Sequence, residues 1–298
     1  MWRVAGIGGL LTLICVLLIT GVMAFGKTQP AHIMIYSYQD ELYELYQLMI
    51  MDVDRQLVYP LPSVKAGSYS PIWSPDGEQI IFVRAGNLFS IRPDGRDLQQ
   101  LSADATQRVE ISMTQDGRRI AYARASNFTY SIEILDILTN EIIRLTESED
   151  FGRFFVETPL TRFPAWSPDG TQLAYQSTLG THSIVYVANL NATDDRPNPI
   201  IDGELARFPA WSPDGQSMAF YAELDGNPGI YIIVDGQPRR LTDHLTDGQP
   251  AWSANGQYIA YHSRRDGMWA IYRVNVETSV IERLTGNTGY AYAPQWKP

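Results

Sequence analysis

The pentapeptide Trp-Ser-Pro-Asp-Gly occurs three times unchanged, at 73–77, 166–170 and 211–215. No other feature constrains the fold of this chain as strongly. A fourth copy reads Trp252-Ser253-Ala254-Asn255-Gly256, and a fifth is worn to Met113-Thr114-Gln115-Asp116-Gly117. A last trace, Ala293-Pro294-Gln295-Trp296, stands at the chain end. At the tryptophan position the intervals are 40, 53, 45, 41 and 44 residues. Self-similarity at about 40–50 residues marks an array of four-stranded units.

Each copy dictates the same local structure. A strand ends in Trp-Ser, and Pro-Asp-Gly turns the chain: proline pre-sets φ, aspartate bonds its own backbone, and glycine takes the positive φ. A second strand alternates apolar residues, as in Ile80–Val83, Ile120–Tyr122, Leu173–Tyr175, Met218–Phe220 and Ile259–Tyr261. Third strands are predicted at Leu88–Ile91, Ile132–Ile137, Ile184–Val187, Ile230–Val234 and Ala270–Val274. Fourth strands close on Leu101-Ser102, Leu145-Thr146, Leu241-Thr242 and Leu284-Thr285, with Pro199-Ile200-Ile201 the weakest counterpart.

The two ends of the array complement each other. Residues 33–61 read as strands two to four of a unit without its first strand, and Ala291–Trp296 supplies a lone first strand. Joined, they remove the open edges that all-β proteins avoid. The expected fold is therefore all-β: a six-bladed β-propeller of four-stranded blades closed by N- and C-terminal strands, spanning residues 32–298.

Residues 4–26 are uncharged and mostly apolar, long enough to cross a bilayer as one helix. A cleaved signal peptide is the rival reading, with Ala24 and Gly26 as small residues near its end. We expect residues 1–27 to be a transmembrane anchor, 28–31 a linker, and the propeller to lie on the periplasmic or extracellular side. The formal net charge of −10 argues against a nucleic-acid partner. The only cysteine, Cys15, lies in the apolar segment, so the rest of the chain has neither disulfide nor cysteine-bound metal.

The repeat Pro-x-Trp-Ser-Pro-Asp-Gly…Ile-Ala-Tyr…Ile-Tyr…Leu-Thr resembles that of TolB-type propellers, over about residues 32–298. The resemblance implies a protein-binding platform of the bacterial envelope, here without the separate α/β domain that precedes the propeller in TolB itself. Similar repeats occur in dipeptidyl-peptidase-like hydrolases, whose catalytic domain has no counterpart here.

The tryptophans are expected to act as wedges between blades, each N–H finding a partner. Calcium at Asp169 or Asp214 would need six to eight oxygen ligands, and each turn offers one carboxylate. Family geometry places the residues just before Pro-x-Trp around one mouth of the channel. Arg162, Arg207, Asp247, Tyr69 and Tyr292 would form a recognition patch there, arginine and tyrosine being frequent interface anchors. The alternative is that each arginine pairs with a local carboxylate. The stretch His262–Trp269, with His262, Arg264, Arg265 and Trp269, is basic in an acidic protein and reads either as a partner-binding loop or as a solvated turn. The insertion Glu147–Leu160 carries Phe151-Gly152-Arg153-Phe154-Phe155, apolar surface that needs a cover.

No catalytic elbow, phosphate loop or paired metal-binding histidines are present, and nothing calls for a cofactor. The expected function is a non-catalytic protein-binding platform, or an accessory subunit of a membrane complex, with a membrane-associated protein as partner. The alternative is a small-molecule or glycan site at the channel mouth with metal-assisted lyase or hydrolase chemistry, where His182, His262 and Asp247 could meet.

Overall fold

A computed structural model describes residues 32–40, 45–104, 106–126, 129–146, 160–191, 197–201, 205–286 and 289–298. The apolar segment 4–26 and Glu147–Pro159 of the insertion therefore lie outside the described residues. Among the described residues no helix is long and apolar enough to cross a membrane.

The chain begins with β1 (Ile33–Gln39), β2 (Tyr46–Asp52) and β3 (Leu57–Pro60). Blade 1 follows as β4 (Ser68–Trp73), β5 (Ile80–Arg84), β6 (Asn87–Ile91) and β7 (Gln99–Gln100). Blade 2 is β8 (Gln107–Met113), β9 (Arg119–Ser126), β10 (Thr129–Asp136) and β11 (Ile142–Arg144). Blade 3 is β12 (Leu160–Trp166), β13 (Gln172–Leu179), β14 (His182–Asn189) and β15 (Asn198–Pro199). Blade 4 is β16 (Ala206–Trp211), β17 (Met218–Leu224), β18 (Asn227–Val234) and β19 (Gln237–Arg240). Blade 5 is β20 (Gly248–Trp252), β21 (Tyr258–Ser263), β22 (Ala270–Asn275) and β23 (Ile281–Arg283). The last strand, β24 (Tyr290–Trp296), pairs antiparallel with β1, giving blade 6 the order β24-β1-β2-β3. All six sheets have four strands, as the repeat predicts.

The core lies between blades, not within them. Ile81, Val83 and Leu88 of blade 1 pack on Ile120, Tyr122 and Leu135 of blade 2, and an equivalent layer fills each junction. The layer joining Ile35 and Ile50 of blade 6 to Trp73 and Ile80 of blade 1 closes the ring. Cross-strand aromatic pairs recur at one register: Phe82–Phe89, Tyr175–Tyr186, Phe220–Tyr231 and Tyr261–Tyr272. In blade 2 the same position holds Tyr122 against Glu133, and the hydroxyl donates to the carboxylate at 2.8 Å.

The repeat motifs are hydrogen-bonding devices. Ser167 Oγ donates to Asp169 Oδ1 at 2.6 Å, and that carboxylate accepts the Thr171 N–H. Ser167 Oγ also accepts the Gln172 N–H, and the Gly170 N–H reaches the Ser167 carbonyl. The same knot recurs around Ser74, Thr114, Ser212 and Ser253. It holds Asp76, Asp116, Asp169 and Asp214 below the usual carboxylate range, the Ser or Thr hydroxyl being the main cause. The Leu-Thr signature lies just beyond the fourth-strand ladder instead of inside it. There Ser102, Thr146, Thr242 and Thr285 accept the N–H that opens the third-strand core at Leu88, Ile132, Ile230 and Ile271.

The tryptophans sit in the junction with the preceding blade, as wedges should. Their N–H groups correct one expectation. Trp211 and Trp252 donate to Ala165 and Ala210 carbonyls at 3.2 and 3.1 Å. The N–H groups of Trp73, Trp166 and Trp296 have no acceptor among the described residues. Cations cover two of these rings, Arg119 over Trp166 at 4.7 Å and Lys297 over Trp73 at 5.4 Å.

Candidate functional site

The first strand of every blade carries a bulge at one repeat position, and the ladder skips there. The bulged residues are Ser70, Glu110, Phe163, Phe208, Gln249 and Ala293, all non-glycine, with φ between 47° and 57°. Left-handed geometry at such residues is costly and persists where the surroundings enforce it. Proline follows five of the six. This ring lines a narrow cavity of about 90 Å³. Toward the Asp-Gly turns the channel opens into a space of about 620 Å³ walled by the wedge tryptophans. Toward the other face stand the residues that precede the bulges, Tyr69, Val109, Arg162, Arg207, Gly248 and Tyr292.

Four of the predicted rim residues, Tyr69, Arg162, Arg207 and Tyr292, thus share one repeat position. Asp247 is one residue out of step. Its side chain is fully buried and paired with Arg265 Nη2 at 3.0 Å. Gly248 takes the rim position because His262 and Phe208 close over it: a Cβ would lie 2.8 Å from His262 Nε2 and 3.2 Å from Phe208 Cε2.

The two arginines of the repeated Arg-Phe-Pro differ. Arg162 donates through Nε and Nη2 to both oxygens of Glu110, the bulged residue of blade 2. That carboxylate also accepts the Phe163 N–H at 3.1 Å. Burial pushes the Glu110 carboxyl up, and the Arg162 guanidinium pulls it back. The guanidinium also lies over Tyr130 at 4.7 Å. For Arg162 the local-carboxylate alternative therefore describes the geometry. Arg207 has no ion pair among the described residues, and its buried Nε has no acceptor.

The stretch His262–Trp269 is compact. His262 and Ser263 belong to β21, and a tight turn closes through the Gly267 N–H to the Arg264 carbonyl. His262 is buried among Phe208, Trp269 and Tyr292, with ring centroids at 6.4, 5.1 and 5.6 Å. Burial holds its pKa down at about 3, so the ring is neutral. Arg265 lies against Tyr261 and Tyr272 as well as Asp247. Arg264 is exposed, and Trp269 is half-buried beside Tyr292 at 5.5 Å. Tyr292 is pushed up to about 12 by burial.

Together these groups form an aromatic arc around the mouth. It runs from Tyr69 through Tyr46, Tyr292, His262 and Phe208 to Phe163, successive ring centroids lying 4.5–6.4 Å apart. Sequence reasoning missed Glu110, Phe163, Phe208 and Tyr46. Aligning the residue three before each repeat tryptophan, with Met113 in its place in blade 2, would have found the bulged ones. His182 is exposed on β14. Among the described residues no three of His, Cys, Asp and Glu converge as metal ligands.

Residues 156–298 match the family model described as the TolB β-propeller domain. Among solved structures, TolB from Acinetobacter baumannii superposes with a TM-score of 0.76, at 19% identity, over 90% of this chain and 67% of that one. Oligogalacturonate lyase from Vibrio parahaemolyticus shares the fold with a TM-score of 0.56, at 12% identity, over 84% of this chain and 78% of its own. Among curated proteins, the uncharacterized peptidase YuxL of Bacillus subtilis (strain 168) is 30% identical over 158 residues. That match covers 51% of this chain but only 20% of YuxL. Residues 156–298 thus match the TolB β-propeller family, and the blades before them carry the same repeat in the same fold.

Proposed function

We propose that this chain is a membrane-anchored, extracytoplasmic propeller that binds a protein partner without catalysing a reaction, as a platform or as an accessory subunit of a membrane complex. The observation that carries the reading is the mouth itself. A largely half-buried aromatic arc is bordered by arginines, the residue types that dominate interface energetics, and four of its six rings stand on bulged first strands. The TolB-type fold supports a protein partner, and the apolar segment 4–26 supports the anchor.

Extraction of the full-length protein in mild detergent, followed by identification of what co-purifies at stoichiometric amounts, tests the proposal. A constant partner across several detergents supports it. A protein recovered alone under all of them refutes a stable complex. Fractionation tests the anchor: recovery of the full chain in a soluble fraction would remove it from the proposal.

A further inference from the structure

Blades 3 and 4 carry the same nonapeptide, Arg-Phe-Pro-Ala-Trp-Ser-Pro-Asp-Gly, at 162–170 and 207–215. Their first strands hold it at the same register, with the bulge at Phe163 and at Phe208. The acceptor for the arginine comes from the preceding blade's bulged residue. For Arg162 that residue is Glu110, whose carboxylate takes two bonds from the guanidinium and one from the Phe163 N–H. For Arg207 the corresponding residue is Phe163, which has no side-chain acceptor to offer. Its ring lies edge-on to Phe208, centroids 4.5 Å apart. Arg207 Nε is buried and unpaired among the described residues, a costly state for a charged donor. Both phenylalanines line the cavity at the channel neck, and Arg207 beside them at the rim position is half-buried.

We propose that Arg207 is a carboxylate-binding site left vacant by the repeat. A carboxylate of the partner protein takes the role in the charge balance that Glu110 fills one blade earlier, with its apolar stem against Phe163 and Phe208. The site selects an acidic side chain or a C-terminal carboxylate, because guanidinium and carboxylate match in shape and charge. This rests on the reading of the mouth as a protein-binding surface and names the chemistry it accepts.

The full-length protein labelled with 15N-arginine, in mild detergent, would be titrated with 3-phenylpropionate, and with 3-phenylpropanol as the neutral control. The Arg207 Nε–H resonance, assigned by its absence in Arg207→Gln, is expected to shift saturably with the acid alone. The Arg162 resonance should stay fixed, because Glu110 already occupies it. Phe163→Glu should supply the missing carboxylate within the chain and abolish the response, which keeps the test decisive if Arg207→Gln misfolds. An Arg207 signal that ignores the acid, or follows the alcohol equally, overturns the proposal. Where a partner co-purifies, Arg207→Gln should weaken its retention about tenfold or more, the worth of a charge-assisted hydrogen bond. Undiminished retention overturns the carboxylate site and leaves the platform reading standing, whereas a wild-type protein that retains nothing overturns the platform reading alone.

Discussion

Replacing Arg162 by methionine isolates the consequence of leaving Glu110 unpaired. The Glu110 side chain is 10% exposed and its partner 37% exposed. Stranding a carboxylate by removing its buried partner costs about 3–5 kcal/mol. Because Arg162 is more than a third exposed, water screens part of the pair, and about 2 kcal/mol is the reasoned loss. For a chain of this size that is a fall of about 4–8 °C in Tm. The loss depends on pH. Without arginine, nothing offsets the burial that already raises the carboxyl, so its folded pKa climbs further above the unfolded value of about 4.3. As pH falls through that raised value, the folded state takes up a proton that the unfolded state does not, and the variant recovers stability relative to wild type. Urea titrations followed by tryptophan fluorescence should show the full loss near neutral pH and a clearly smaller one at about pH 5. Arg162→Met/Glu110→Gln should regain more than half of it. Arg207→Met, at the same repeat position but with no carboxylate, should stay within about 0.5 kcal/mol of wild type. An Arg162→Met loss below about 0.5 kcal/mol, or one that is equal at both pH values, would refute the assignment of Glu110 as a buried, arginine-neutralised group.

Ser167→Ala should cost about 1 kcal/mol in thermal or urea melts, because one hydroxyl serves both the Asp169 carboxylate and the Gln172 N–H. The four turn aspartates have folded pKa values below the unfolded one. Their stabilisation is therefore fully present above about pH 4 and is lost as pH falls through the folded values, and Asp→Asn in the turns should flatten this acid limb. His262, held neutral near a pKa of about 3, should show ring resonances that do not move from about pH 5 to pH 8. It should also contribute a decline in stability as pH drops below about 6.5, where the unfolded chain binds a proton and the folded one does not. Movement of those resonances would disprove its burial. Gly248→Ala would press a methyl onto His262 and Phe208 and should cost about 1–3 kcal/mol, while an unchanged midpoint would show that the aromatic arc yields.

The ring was legible in the chain because each local signal repeats and all agree. Proline, aspartate and glycine can form that turn wherever they fall in order, and alternating apolar residues specify a strand face without reference to distant residues. Closure was legible for a related reason: a missing first strand at one end and a spare one at the other leave one economical pairing. The site was legible only as positions. Arg162 and Arg207 open the same nonapeptide, and no local reading separates them. Their difference comes from what stands one blade back, Glu110 against Phe163, which is 52 residues away along the chain for Arg162. Likewise, His262 and Arg265 read as a basic, reaching loop, and packing turned one into a neutral core ring and tied the other to buried Asp247. Charge pairing and desolvation depend on distances across blade junctions, so the fold came from local chemistry, and the character of the mouth came only from the ring that brings neighbouring blades into contact.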